Sequence, residues 1–205
     1  MIALIDYGMG NLGSVTKAFA TVGAAVTRVT TADEMTDARA LVLPGVGAFP
    51  AAMKNLSQRG FVNAIRREVS RGKPILGICL GYQLLFDRSS EMEPCEGLGL
   101  IGGDVVKFTI DLKIPHMGWN SVTVSKKDPV AEGIVDSDYF YFVHSFYPEL
   151  KNPSDALFET EYGIKFVSAI ARANVYGVQF HPEKSQEKGL VLLKNFVEKV
   201  CSRTP

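Results

Sequence analysis

The side chains able to do chemistry in this 205-residue chain lie at two places far apart in sequence. One is Cys79, in Gly77-Ile78-Cys79-Leu80-Gly81-Tyr82-Gln83; the other is His181, in Phe180-His181-Pro182-Glu183. A thiol attacks an acyl carbon as the thiolate, so it needs a base to take its proton and an acid to protonate the leaving group. A histidine oriented by a carboxylate does both. Of the three histidines, 116, 144 and 181, only His181 stands at the end of an expected strand with a carboxylate two residues on. Pro182 between them fixes the turn, so Glu183 can point back to the ring. The residue types therefore specify acyl transfer, with Cys79 as nucleophile, His181 as general base and acid, and Glu183 as the group that orients the ring. The bland alternatives are a thiol that merely packs and a satisfied ring. Glycines flanking the cysteine and the His-x-Glu spacing argue against both.

The elements that must position these groups are legible around them. Ile75 to Ile78 is a short apolar run that reads as a buried strand, and Leu80, Leu84 and Leu85 suit the first turns of a helix. Strand, tight turn and helix make a nucleophile elbow, with Cys in place of Ser. Such a turn strains the nucleophile's backbone and leaves no room for a Cβ beside it, hence Gly77 and Gly81. A thiol at a helix N-terminus also gains from the dipole and the free N–H groups, which favour the thiolate. Acyl transfer needs donors for the oxyanion as well. The Leu80 N–H follows the nucleophile directly, and Pro44-Gly45-Val46-Gly47 is a natural second supplier, because glycines permit close backbone approach.

The flanking chain alternates strands and helices. Ile2–Ile5 reads as a strand, and Val15, Ala18, Phe19 and Val22 mark one face of a helix closed by Gly23. Val26 to Thr30 and Ala40 to Leu43 read as further strands; a helix through about Leu56 and another marked by Phe61, Ile65 and Val69 precede the elbow. This pattern predicts an α/β fold with a largely parallel central sheet flanked by helices. Ligands of such sheets sit at the carboxyl ends of the strands, where the 44–47 loop and Cys79 both fall. Gly8, Gly10 and Gly13 match a dinucleotide fingerprint, but Arg28 stands where its acidic partner belongs, so a tight turn explains them. After about residue 100 the texture changes to antiparallel strands at 105–108, 121–124, 139–142 and 164–171, then 175–180 leading to His181. A closing helix carries Leu190, Leu193, Val197 and Val200. No linker or repeat interrupts the chain, so residues 1–205 are expected to form a single domain.

Lys plus Arg and Asp plus Glu both number 22, so no basic surface points to nucleic acid. The three cysteines lack CxxC spacing, and the histidines show no paired spacing, which argues against a disulfide framework and a metal site. The start has no positively charged leader and no run reaches membrane length, so the expectation is a soluble protein of a reducing compartment, the cytosol, needing no cofactor.

Gly77 to Gln83 together with Gly177-Val178-Gln179-Phe180-His181-Pro182-Glu183 closely resembles the class I glutamine amidotransferases. In that family Cys, His and Glu form the triad that hydrolyses glutamine to glutamate and ammonia through a thioester. Asp6 to Asn11, Pro44 to Gly47, Pro115-His116-Met117-Gly118-Trp119-Asn120 and Phe142 to Tyr147 are similar to the branch whose members serve imidazole glycerol phosphate synthases in histidine biosynthesis. The resemblance spans essentially the whole chain. It implies that Gln83 and the backbone of Ser145 and Phe146 hold the substrate. It also implies a heterodimer with a cyclase barrel that receives ammonia through a channel. Met117, Trp119 and Lys184, which flank the expected active-site face and are poorly explained as core, are expected at that interface. One departure stands out: most members carry Pro-Gly-Gly at the oxyanion strand, and Val46 replaces the second glycine here. A β-branched residue resists positive φ, so a peptide flip is harder, which suits an enzyme kept idle until its partner docks. Two rivals differ in what they leave unexplained: another cysteine amidase or peptidase gives no reason for Gln83 or the 115–120 segment, and an inert scaffold gives none for a complete triad.

Overall fold

The computed structural model describes residues 1–203. In chain order its main elements are β1 (Ile2–Ile5), α1 (Leu12–Thr21), β2 (Val26–Val29), β3 (Ala40–Leu43), α2 (Phe49–Gln58), α3 (Phe61–Ser70), β4 (Ile75–Ile78), α4 (Leu80–Gln83), β5 (Phe86–Ser89), β6 (Cys95–Glu96), β7 (Ile101–Lys107), β8 (His116–Ser121), β9 (Thr123–Val124), β10 (Tyr139–His144), β11 (Phe146–Leu150), β12 (Ala156–Tyr162), β13 (Ile164–Arg172), β14 (Val175–Val178) and α5 (Gln186–Asn195).

Strands without polar alternation must be covered on both faces, and they form the middle of the main sheet. Its order is β2-β1-β3-β4-β14-β13-β12-β9, parallel from β2 through β14 and antiparallel beyond. Side chains of β1 alternate between the two faces: Ile2 and Leu4 join the core under α1 and α5, Ala3 and Ile5 the core under α2 and α3. Phe19, Leu192 and Phe196 cover the first face, Phe49, Leu56, Phe61 and Ile65 the second, all fully buried. A two-stranded ribbon, β10-β8, and a four-stranded sheet, β11-β7-β5-β6, complete the structure. The expected α/β class, with its parallel core and antiparallel second half, is what forms. Among the described residues, no helix is long and apolar enough to cross a membrane.

Three local expectations are corrected. The helix after Cys79 is a single turn; Phe86 already begins β5. The Leu84 and Leu85 carbonyls accept from Leu98 and Leu100 N–H groups instead of continuing the helix. A full helix dipole is therefore not available at Cys79, and what the turn supplies is the Leu80 N–H, which has no intrahelical acceptor. The strand expected at 121–124 splits into β8, which starts at His116, and the two-residue β9. The apolar Met117 and Trp119 point outward on β8 and His116 inward, so its alternation is inverted and hides the strand. β5, β11 and β12 were not expected at all. Pro148 argues against a strand, yet β11 is the edge of its sheet, where proline is tolerated. The glycine-rich turn after β1 closes on itself, with the Gly8 N–H donating to Asp6 Oδ1 at 3.1 Å and the Arg28 guanidinium paired with Asp6.

Candidate active site

Cys79 ends β4 with φ 55° and ψ −111°, a strained conformation for a residue with a side chain. Sterics around it explain the flanking glycines. A Cβ at Gly77 would sit 2.7 Å from the Gly81 carbonyl oxygen, and one at Gly81 would run into the Leu43 carbonyl of β3. Gly45 is equally confined: its Cβ would meet the Tyr7 hydroxyl at 2.6 Å and the Gly81 nitrogen at 2.9 Å. The elbow is thus wedged against the 44–47 loop, with no slack for a larger residue.

Because β14 runs parallel to β4 in the register Val178↔Ile78, the two strands end side by side and deliver His181 next to Cys79. The Cys79 N–H donates to Val178 O at 2.8 Å, and the His181 N–H to Tyr141 O at 2.9 Å, which ties both to the frame. Ser185 locks the turn: its hydroxyl donates to His181 O at 2.6 Å and accepts from the Tyr141 N–H at 2.9 Å. His181 Nδ1 lies 2.8 Å from Glu183 Oε1, with both side chains almost wholly buried. The ring's Nε2 is buried without a hydrogen-bond partner and is the nitrogen left for the thiol. Burial opposes charge on this ring, but the neighbouring Cys79 and Glu183 outweigh it and raise its pKa from 6.5 to about 10. An imidazolium is the partner a thiolate needs.

A cavity of about 280 Å³ opens over these groups. Cys79, Leu80, His181, Val46, Gly47, Gln83, Ser145 and Phe146 all line it, and Gly45 does not. Gly47 holds φ +102°, which suits glycine, and Val46 is 44% exposed. Gln83 Nε2 donates to Phe146 O at 2.9 Å and to Gln179 Oε1 at 3.0 Å. Both N–H bonds are committed, so the amide oxygen is the group Gln83 offers the cavity. Met117 (61% exposed) and Trp119 (46%) project from the outer face of the β8–β10 ribbon, where Met117 stands opposite the cavity-lining Val143. Lys184 is exposed beside them, its Nζ 5.8 Å from the Tyr141 ring centre, and Trp119 meets that ring edge-on at 6.1 Å. All three expected interface residues thus neighbour Tyr141 or Val143 of β10.

Three site residues escaped the sequence reading. Glu91 lines the cavity while its Oε2 accepts from the Phe49 N–H at 2.7 Å, capping α2. Gln179, fully buried between Gln83 and Cys79, and His144, on the cavity wall, also went unassigned. Gln179 stood within the triad segment, which was the one available signal. The structure also pairs His116 with His144, although their sequence spacing is unremarkable, and among the described residues no group of three or more His, Cys, Asp or Glu is placed to hold a metal ion.

The solved structures similar to this one include a crystal structure of a glutamine amidotransferase (TM-score 0.72, 17% identity, covering 94% of this chain and 98% of that one). The structure of PurLQS from Thermotoga maritima is also similar (TM-score 0.77, 18% identity, 96% of each chain). At those identities they speak for the fold. In sequence the chain is 51% identical over 199 residues to imidazole glycerol phosphate synthase subunit HisH 1 of Campylobacter jejuni subsp. jejuni serotype O:23/36 (strain 81-176), covering 96% of this chain and 98% of the relative. It is 49% identical over 197 residues to imidazole glycerol phosphate synthase subunit HisH of Aquifex aeolicus (strain VF5), covering 96% and 95%. The family model for class I glutamine amidotransferases matches residues 3–200, from the first strand to the closing helix, and the chain belongs to that family.

Proposed function

We propose that this chain is the glutaminase subunit of imidazole glycerol phosphate synthase, hydrolysing L-glutamine and passing the ammonia to a cyclase barrel in histidine biosynthesis. The observation that carries the chemistry is the buried His181–Glu183 pair beside a strained Cys79 that lines the cavity. Half-identity to named subunits over nearly full length supports the biological setting.

In this reading the Cys79 thiolate attacks the carboxamide carbon, and the oxyanion develops toward the Leu80 N–H and the backbone of Gly45, Val46 and Gly47. His181 protonates the departing ammonia, leaving a γ-glutamyl thioester. Water, deprotonated by the same ring, then releases glutamate and the thiol, while Glu183 keeps Nε2 aimed at the reacting atoms. The cavity suits an α-amino acid: the Gln83 oxygen and the Glu91 carboxylate are complementary to an α-ammonium, and Ser145 and Phe146 line the same cavity. Met117, Trp119 and Lys184 contact the cyclase in a cytoplasmic heterodimer, residues 1–205 act as one domain, and no cofactor takes part.

The test is copurification with the cyclase followed by glutamate release with and without it. Cys79→Ser and His181→Ala should abolish glutamine-dependent synthesis but leave ammonia-dependent synthesis intact, because the acceptor chemistry is the partner's. Glu183→Ala should keep more activity than either, since an orienting group is usually worth less than nucleophile or base. Loss of both activities in an assembled complex of Cys79→Ser refutes this division of labour.

A further inference from the structure

Two buried histidines outside the triad remain without a role. His116 on β8 and His144 on β10 are direct cross-strand partners, 3% and 6% exposed. His116 Nδ1 lies 2.9 Å from His144 Nε2, His144 Nδ1 lies 2.8 Å from Phe146 O, and His116 Nε2 lies 3.2 Å from Asn120 Nδ2. The proton positions follow by elimination. An amide nitrogen only donates, so His116 Nε2 accepts from Asn120 and the ring's proton sits on Nδ1, which donates to His144 Nε2. A carbonyl oxygen only accepts, so His144 donates to Phe146 O from Nδ1. Asn120 is itself anchored, because the same amide nitrogen donates to Glu161 O at 2.9 Å. Both rings are neutral, both are Nδ1–H tautomers, and donation runs one way from Asn120 to Phe146. Burial disfavours the charged form of each ring, which is consistent with that state.

The carbonyl at the end of this chain also receives the Gln83 amide, at 2.9 Å. We propose that His116 and His144 are positioning residues for the substrate: they fix the Phe146 carbonyl, which holds the Gln83 amide with its oxygen, not its nitrogen, toward the cavity. The amide of glutamine is nearly symmetric in shape, so its orientation depends on what its nitrogen can donate to. If Phe146 O turns away, Gln83 loses one of its two acceptors and can rotate by half a turn. It then presents N–H groups where the α-ammonium of an amino acid needs an acceptor. This proposal rests on the glutaminase reading. His116 itself lies off the cavity wall, so any effect it has on glutamine must travel through His144 and Phe146.

His116→Phe is the discriminating variant, because the ring sits between Phe142 and Tyr162, at 4.9 Å and 4.0 Å between centroids, and Phe keeps that stacking while removing the hydrogen bonds. In the assembled synthase the expected result is a KM for glutamine raised roughly two- to tenfold, as one neutral hydrogen bond implies, with kcat changed far less and ammonia-dependent synthesis unchanged. His116→Asn, whose amide nitrogen can stand in for Nδ1, should recover most of the lost KM. Nitrogen-15 NMR of the ring nitrogens should show both histidines as Nδ1–H tautomers at neutral pH. Asn120→Ala removes the donor that sets the His116 tautomer and should shift KM in the same direction, which keeps the inference exposed where a histidine variant folds poorly. An unchanged KM in folded His116→Phe, an Asn variant no better than Phe, or the opposite tautomers overturns the proposal. A parent enzyme that fails to hydrolyse glutamine would instead overturn the glutaminase reading.

Discussion

Gly77 and Gly177 stand opposite one another on the adjacent parallel strands β4 and β14, and Tyr82 occupies the space that both leave. A Cβ on Gly77 would come within 2.8 Å of the Tyr82 Cα, and one on Gly177 would enter the Tyr82 ring. That ring is fully buried and tethered by its hydroxyl, which donates to Val167 O at 3.1 Å. The turn carrying Cys79 is thus clamped onto the strand that carries His181. Gly177→Ala should cost about 1–3 kcal/mol by overpacking and reduce glutamine hydrolysis by displacing the elbow. Gly13→Ala, in α1 with open space around it, should be neutral or stabilise by about 0.5–1 kcal/mol, as alanine does for glycine in a helix. Thermal unfolding and steady-state glutaminase of the two variants check the contrast.

Stability should fall as pH drops from 7 to 5. Burial lowers the folded-state pKa of His116 from 6.5 to about 4 and of His144 from 6.5 to about 3. In the unfolded chain both rings take up protons near pH 6.5, whereas in the folded chain neither does until near pH 4. The unfolded state therefore binds more protons in between, and stability present above pH 6.5 is lost as pH falls toward the folded values. The slope approaches about 1.4 kcal/mol per pH unit for each ring. His181, with its pKa raised to about 10, is already protonated in the folded state, whereas its unfolded form takes up the proton near pH 6.5, so it partly offsets the loss around that pH and adds nothing well below it. Its own contribution is present below pH 6.5 and lost as pH rises toward 10. Urea unfolding between pH 7 and 5 should show the loss, and His116→Phe should flatten it. An equally steep profile in that variant would assign the slope to other groups.

Trp119 is nearly half exposed on the β8–β10 ribbon, steadied edge-on by Tyr141. A large aromatic left in solvent at that position is suited to anchoring a partner. Trp119→Ala should weaken association with the cyclase by roughly 1–4 kcal/mol, the range of an interface hot spot. Titration calorimetry reads this directly; an unchanged dissociation constant returns Trp119 to a role in packing against Tyr141.

Val46 lines the cavity between two glycines, and of the three Gly47 alone holds positive φ. A rotation of either peptide flanking Val46 has to carry a β-branched residue through unfavourable backbone space, and one misdirected oxyanion donor costs about 10²–10³ in rate. Val46→Gly should therefore raise glutamine hydrolysis by the isolated subunit and shrink its activation by partner and acceptor. Glutaminase assays of both forms, alone and in the saturated complex, decide it. A variant as silent as the parent would show that this loop is not the switch.

That Cys79, His181 and Glu183 come together was legible from the chain alone because their constraints are local. Gly77 and Gly81 are demanded by backbone atoms within a few residues of Cys79 or one strand away, and Pro182 sets the His181–Glu183 approach across a single turn. The parallel core was legible for a similar reason, since strands covered on both faces must be apolar throughout. Local pattern misjudged the helix after Cys79, because a short apolar run such as Leu84-Leu85-Phe86 reads alike as helix or buried strand until its acceptors are known. It also missed β8, where outward Met117 and Trp119 and inward His116 invert the usual alternation. Three further groups depend on contacts that only the tertiary structure makes. Glu91 reaches the cavity by capping α2, Gln179 meets Gln83 of the turn after Cys79, and His116 meets His144 through strand register. Register is set by the packing of whole faces against the core, and shifting it by one residue would turn every side chain of β8 to the other side; no spacing within the chain encodes that choice.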